Sequence, residues 1–216
     1  HYGRLPEDWR LGCYDSVWTG YAVDSSIRGR SSSGGVLTTV LSYLLQENYV
    51  DAVIVASQGT SNSCKETSWN MVYNSDELIN FGQSVYINVP MLEVLGKLDN
   101  TKKYAITLTP ESSAALRSLQ KSGDKQSLAV KYVLGPYTGT SLESDSIDAL
   151  LKMYGVSNND KLVSLKWRAG KWPGYFEAKT ESGKVIRVDK VYYNFLIPFY
   201  ISKISIILLV IIHIAC

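Results

Sequence analysis

A run of small residues, Ser-Ser-Ser-Gly-Gly, stands directly before a segment with strong helical periodicity, and we call residues 31–35 the serine–glycine loop. Such a loop exposes backbone N–H groups at a helix N-terminus, where the helix dipole favours the negative charge of a phosphate. Glycine lets an anion come close because it has no side chain, and hydroxyl groups can donate further hydrogen bonds. The candidate cofactor-binding residues of this segment are Ser32, Ser33, Gly34, Gly35 and Thr38.

An ordinary helix cap is the alternative for this loop, because serines commonly cap helices. The loop matches neither a G-x-G-x-x-G motif nor a P-loop lysine motif, so it does not indicate a standard Rossmann or Walker site. The local pattern alone modestly favours the cap.

Two further segments, a strand-to-helix junction and a turn, carry side chains that could contact a ligand. The first is the junction at residues 110–117, where a helix is predicted to follow a strand; such carboxyl ends of strands are where open α/β sheets bind ligands. Its alternative is capping by its own serines. The second is the turn at residues 170–174, where Lys171 stands beside Trp172. That turn could pack against a ring system or a phosphate, or the tryptophan could simply close the end of a hairpin.

The cysteines and histidines are too scattered to predict a metal site or a disulfide framework. Cys13, Cys64 and Cys216 include no C-x-x-C pair, while His1 and His213 lie at opposite ends of the chain. A metal or cluster site needs three or four converging ligands, and isolated thiols are typical of a reduced cytoplasm. We therefore predict no metal ligands from this chain and a cytoplasmic location.

The net charge and the reactive side chains argue against two classes of function: nucleic-acid binding and catalysis by side chains alone. A formal net charge of +2 without a basic block argues against nucleic acid as a partner. No Ser-His-Asp or Cys-His set and no carboxylate pair suggests catalysis by side chains alone, so the catalytic residues stay unknown. Chemistry carried by a cofactor fits better, because the protein then mainly positions the reactive ring.

Strand-like and helix-like runs alternate through the first two thirds of the chain. Apolar residues at helical spacing predict a helix over residues 36–45, and continuous apolar runs predict buried strands over 51–56 and 104–108. The remaining predicted strands are 18–23, 85–89 and 130–134, and the remaining helices are 91–98, 112–120 and 142–154. A short helix could also start at residues 75–78 and stop at Gly82, and the predicted polar loops are 28–33 and 59–69.

The last third has β character. Residues 163–167 alternate apolar and polar positions, and two runs at 175–180 and 184–189 flank Glu-Ser-Gly, which predicts a hairpin. The predicted fold class is α/β: a mixed, layered α/β domain with a C-terminal β-hairpin. We predict an N-terminal segment at 1–17, the domain at 18–191 and a hydrophobic tail at 192–216. Because the chain opens with His1 rather than Met, we expect the true N-terminus to lie upstream.

The tail from residue 204 onward is almost wholly aliphatic. A membrane-spanning helix needs roughly 20 apolar residues, and reaching that length would include Pro198 and Lys203. Three interpretations stay open: a membrane anchor, a buried helix, or a frameshifted or truncated end.

Several short segments resemble, in order and spacing across residues 18–191, the beta subunit of coenzyme F420 hydrogenases and dehydrogenases. They are 20–22, 27–28, 32–36, 43–45, 50–53, 84–86, 114–117, 132–135, 167–168 and 170–174. The resemblance implies a flavoprotein subunit that binds FAD and passes electrons between FAD and an organic acceptor. It also implies other redox subunits or a ferredoxin-type donor as partners, and allows the deazaflavin coenzyme F420 as a further cofactor.

Under this resemblance the serine–glycine loop would hold the flavin, through its phosphates, and the 110–117 junction would lie near the redox centre. Arg117 and Lys171 join the candidate cofactor-binding residues on this basis.

The chain departs from the family pattern where that pattern has cysteines. Glu111 and Thr138 stand at two such positions, and the aliphatic tail replaces a Cys-rich stretch. Neither Glu nor Thr suits an iron–sulfur cluster, which prefers thiolates, so we expect the cluster ligands to be lost. The alternative function is therefore a non-catalytic structural or partner-binding relative.

Overall fold

The computed structural model describes residues 5–6, 8, 12–59, 64–136, 141–203 and 205. The strands in this part of the chain are β1 (Ala52–Gln58), β2 (Thr67–Val72), β3 (Tyr104–Thr107), β4 (Val130–Leu134), β5 (Leu162–Ala169), β6 (Tyr175–Thr180) and β7 (Val185–Asp189). The α-helices are α1 (Ser25–Arg30), α2 (Val36–Gln46), α3 (Pro110–Lys121), α4 (Lys125–Ala129), α5 (Asp145–Met153), α6 (Lys190–Tyr193) and α7 (Ile197–Tyr200). Short 3₁₀ helices occupy Ser75–Phe81, Met91–Lys97 and Asn194–Leu196.

The first four strands form one mixed sheet in the order β2-β1-β3-β4. Strands β1, β3 and β4 run parallel, and β2 pairs antiparallel with β1 at the edge. At the centre of the sheet, Ile54 pairs with Ile106 on one side and with Met71 on the other. The predicted strands at 51–56, 104–108 and 130–134 are thus present.

Both faces of this sheet are buried, which explains why β1 reads as a continuous apolar run. Val53 and Val55 face a cluster formed with α2 and the Ser75–Phe81 helix. Ala52 and Ile54 face the opposite cluster, formed with α3, α4 and the Met91–Lys97 helix. The sheet is therefore the middle layer of a three-layer arrangement.

The C-terminal strands form a separate antiparallel sheet in the order β5-β6-β7. Its core contains Trp167 and Phe176, whose rings meet edge to face at 5.4 Å. Helix α5 covers this core with Ile147 and Leu150, which are fully buried. The predicted mixed α/β class is confirmed, and the predicted hairpin is the β6–β7 part of this larger sheet.

Three local predictions are wrong. Residues 18–23 form no strand, because this segment has no neighbouring strand to pair with in the described structure and leaves Trp18 and Val23 exposed. The predicted loop at 28–33 instead begins with the second half of α1, which Asp24 caps by accepting from the N–H of Ser26 at 2.7 Å. The predicted loop at 59–69 gives way at Thr67 to β2.

Residues 84–90 form an irregular bridge between the two sheets. The predicted strand at 85–89 is reduced to an isolated pairing between Ile87 and Leu142. The N–H of Leu142 donates to the carbonyl of Tyr86 at 2.8 Å, and the N–H of Asn88 donates to the carbonyl of Leu142 at 3.2 Å. We call residues 84–90 the bridging segment.

Within the described residues, no helix has both the length and the apolar character required to cross a bilayer. Residues 206–216, most of the aliphatic tail, lie outside the described part of the chain, and so do His213, Cys216 and Thr138. The three interpretations of the tail stay predictions.

Candidate functional site

A cavity of about 680 Å³ opens at the carboxyl ends of β1 and β3. We call it the central cavity. Val55 and Ala56 of β1 and Thr107 of β3 line one side, and the bridging segment lines the other. Small-molecule and cofactor sites usually measure roughly 300–1,000 Å³ and prefer this edge of a parallel sheet. Its size and position make it the candidate ligand site.

Helix α2 brings its N-terminus to this cavity. Leu37 and Thr38, in its first turn, line the wall. The N-cap residue, Gly35, has a left-handed backbone with φ of 79° and provides no side-chain hydrogen bond to the helix. The first backbone N–H groups of a helix have no intrahelical acceptor, so this end of α2 can donate to an anion.

Helix α3 brings a second N-terminus to the same cavity. Thr109 precedes the helix without a side-chain capping bond, and Pro110 starts it. Thr109, Glu111 and Ser112 all line the cavity. The N–H groups of Glu111 and Ser112 have no acceptor within the helix, so this helix end, like that of α2, can donate to an anion beside it.

Tyr86 ties the cavity wall to the core of the C-terminal sheet. Its ring lies 5.7 Å from that of Trp167 and 6.2 Å from that of Tyr193. Burial raises the pKa of Tyr193 far above its ordinary value, against a lowering effect from the charge of Arg168. Tyr193, which also lines the cavity, therefore keeps a neutral hydroxyl at physiological pH.

Lys190 and Glu111 are the charged side chains that line the cavity within the described structure. The Lys190 ammonium lies 6.0 Å from the centre of the Tyr86 ring. The described residues contain no group of three or more His, Cys, Asp or Glu side chains that could hold a metal ion. The charges of Lys190 and Glu111 offset one another, so any preference of this lining for an anion comes from the two helix N-termini and the hydroxyls.

The serine–glycine loop lies beside the cavity and is held there by several hydrogen bonds. The hydroxyl of Ser32 accepts from the N–H of Ser84 at 2.7 Å, and the N–H of Ser32 donates to the carbonyl of Gly82 at 3.3 Å. Gly82 and Ser84 both line the cavity. Ser33 is exposed. Of the predicted residues in this segment, Thr38 lines the cavity directly and Ser32 contacts its wall.

The two glycines of the loop are required by packing inside the protein. A Cβ on Gly34 would lie 3.2 Å from the carbonyl oxygen of Gly20, and a Cβ on Gly35 would lie 3.0 Å from the Cβ of Ala22. These contacts support a structural role for the pair without assigning a ligand to it.

The other two predicted residues lie apart from the cavity. Arg117 is exposed on α3, where it donates to the side-chain carbonyl of Gln120 at 2.6 Å. Lys171 is exposed on the 170–174 turn. Neither belongs to the cavity lining among the described residues.

Several residues that line the cavity were not among those predicted from the sequence. Thr107 is the last residue of β3 and Thr109 directly precedes α3, so the rule on carboxyl ends of strands, applied above to residues 110–117, extends to both of them. Lys190 and Tyr193 lie on α6, directly after β7, and no local pattern marks that this helix lines the cavity.

Two family models together match most of the chain. Residues 17–96 match the coenzyme F420 hydrogenase/dehydrogenase beta subunit N-terminal model, and residues 101–202 match the C-terminal model of the same subunit.

Individual relatives are distant and longer than this chain. The F420-dependent formate dehydrogenase subunit beta of Methanocaldococcus jannaschii is 23% identical over 171 residues, which are 79% of this chain and 44% of that protein. A chain of the F420-reducing NiFe hydrogenase complex from Methanosarcina barkeri superposes with a TM-score of 0.62 at 17% identity, over 85% of this chain and 62% of that one. The second likeness shows the fold, and this chain spans less than two thirds of either relative.

Proposed function

Since this chain belongs to the coenzyme F420 hydrogenase/dehydrogenase beta subunit family, we propose that it is the flavin-binding part of an oxidoreductase subunit. In this role it binds FAD in the central cavity and passes electrons between FAD and an organic acceptor, with the deazaflavin F420 as one candidate acceptor. The observation that carries the proposal is the convergence of two helix N-termini on one cavity of about 680 Å³.

The residues around the cavity fit a flavin nucleotide. The first turns of α2 and α3 would donate backbone N–H groups to the phosphates. Apolar side chains such as Leu41, Leu78 and Phe81 line the cavity and would contact the ring system. When bound, the flavin supplies the electron and hydride chemistry, and the chain orients it and shields it from water.

The electron donor in this proposal is external. The described residues offer no cluster of thiolate ligands, and Glu111 lines the cavity where the family pattern has a cysteine. We therefore place the donor in other redox subunits or a ferredoxin-type protein. The relatives are by name a subunit of a formate dehydrogenase and part of a hydrogenase complex, which supports such partners. We propose that the assembly is cytoplasmic.

A cavity-blocking substitution tests the proposal. Thr38 lines the cavity, so Thr38→Trp would fill part of it, and we expect FAD affinity to fall by about tenfold or more. Titrating the full chain with FAD and following flavin fluorescence measures this. Thr39→Trp is the matched control, because Thr39 is the next residue of α2 and is exposed.

Each outcome has a definite meaning. Loss of FAD binding in Thr38→Trp, with binding kept in Thr39→Trp, supports the site. Equal FAD affinity in both variants would show that the flavin does not bind in this cavity. A wild-type chain that binds no FAD would favour the alternative, a structural or partner-binding relative, which the replacement of the family's cysteine by Glu111 already supports.

A further inference from the structure

Lys190 places a cation in the wall of the central cavity. Its side chain is half-buried and lines the cavity, and its ammonium lies 6.0 Å from the centre of the Tyr86 ring. An aromatic face attracts a cation at this distance, which favours a position of the ammonium beside Tyr86. Among the described residues, Lys190 forms neither an ion pair nor a side-chain hydrogen bond that would neutralise it.

Glu111 places the opposite charge in the same wall. It is the second residue of α3, is half-buried and lines the cavity. Within the described part of the chain, its carboxylate also forms no ion pair and accepts no hydrogen bond. Because Lys190 and Glu111 do not pair with each other, each charge acts separately on whatever the cavity holds.

Two such charges matter most for a ligand whose own charge changes. Half-buried charges are screened less by water and salt than exposed ones, so they act across a cavity of this size. When an external donor delivers two electrons and the solvent delivers one proton, a bound flavin gains one negative charge. Passing a hydride to the organic acceptor removes that charge again. Lys190 therefore favours the reduced form of the flavin, and Glu111 favours the oxidised form.

We propose that Lys190 and Glu111 set the reduction potential of the bound flavin in opposite directions, with Lys190 raising it and Glu111 lowering it. The protein has few other means to adjust a flavin than the charges and hydrogen bonds around its ring. This inference rests on the proposed function, because it takes a flavin as the ligand of the central cavity.

The test measures the midpoint potential of FAD bound to the full chain, by anaerobic equilibration with a reference dye. Lys190→Met should weaken the preference for reduced over oxidised FAD about tenfold, which lowers a two-electron potential by about 30 mV. Glu111→Gln should raise the potential by a similar amount. A chain with both substitutions should return close to the wild-type potential.

Two charge-removing controls separate the cavity from the net charge of the protein. Lys166 on β5 and Glu47 after α2 are exposed and lie outside the cavity lining. Lys166→Met and Glu47→Gln should therefore leave the potential within a few millivolts of the wild type, about a tenth of the expected shift. Lys190→Arg keeps the charge and should keep the potential, whereas a fall as large as in Lys190→Met would show that the charge is not the cause.

The inference and the proposed function fail in different ways. Bound FAD with the same potential in Lys190→Met and in the wild type, or a shift of the same sign in Lys190→Met and Glu111→Gln, overturns the inference and leaves the flavin site intact. A wild-type chain that binds neither oxidised nor reduced FAD rejects the proposed function, and the inference with it.

Discussion

Gly35 shows how one residue can serve the fold and the site together. Its left-handed backbone turns the chain into α2, and its missing side chain lets Ala22 and Ile27 pack against it at 3.0 and 3.1 Å from a notional Cβ. Both requirements would exist without any ligand. A small-residue loop before a helix therefore marks a tight turn first, and a phosphate site only when other groups converge on it.

Gly35→Ala should destabilise the chain more than Gly123→Ala. Both glycines have positive φ, 79° and 81°, but a Cβ on Gly123 would meet nothing within 4 Å. The Gly123 variant should cost about 1 kcal/mol from backbone strain alone, and the Gly35 variant roughly 2–3 kcal/mol because crowding is added. Urea unfolding measures both, and equal losses would mean that the contacts around Gly35 relax freely.

The candidate site could be predicted from the sequence only where a local pattern marks it. Thr38 and the Glu111–Ser112 junction follow recognisable loop-to-helix patterns, and they line the cavity. Lys190 and Tyr193 line it too but have no such pattern, because their positions depend on how the two sheets pack together.

At the scale of elements, Gln58 links the two sheets. It is the last residue of β1, and its side-chain oxygen accepts from the indole N–H of Trp167 in β5 at 2.8 Å. Trp167 is only 1% exposed, so water has little access to that N–H. This bond joins the carboxyl end of β1, an internal strand of the first sheet, to the core of the second sheet.

Gln58→Met should leave the buried indole N–H unpaired and cost roughly 1–3 kcal/mol of unfolding free energy. Gln46→Met is the matched control, since Gln46 donates to the Ser75 hydroxyl at an exposed position. That variant should change stability by no more than about 0.5 kcal/mol. Urea unfolding followed by tryptophan emission compares them, and a Gln58 variant as stable as the control would show that the link contributes nothing.

Elements with two buried faces were the most predictable from sequence. Strand β1 and strand β3 are continuous apolar runs because helices cover both of their faces. Strand β2 is an edge strand with several half-exposed residues, so its sequence reads as a loop. Trp18 and Val23 have the apolar side chains that are typical of a strand, but both are exposed. The prediction of a strand at 18–23 failed because no neighbouring strand pairs with this segment in the described structure.

At the scale of the whole molecule, the cavity exists because two sheets meet around the bridging segment. The first sheet supplies the carboxyl ends of its strands, and residues 190–197, which follow the second sheet, supply Lys190 and Tyr193. The family models divide the chain between residues 96 and 101, so both matched parts contribute to one site. The predicted division at residues 18–191 stays a prediction.

The central claim is that a flavin lies in this cavity, and hydrogen–deuterium exchange of the full chain with and without FAD tests it most directly. We predict slower exchange in the first turns of α2 and α3 and in the bridging segment, because the flavin would cover them. The β6–β7 turn around Gly183, far along the chain in the second sheet, should exchange at the same rate in both states. Bound FAD that protects other segments and leaves these helix ends unchanged would contradict the account.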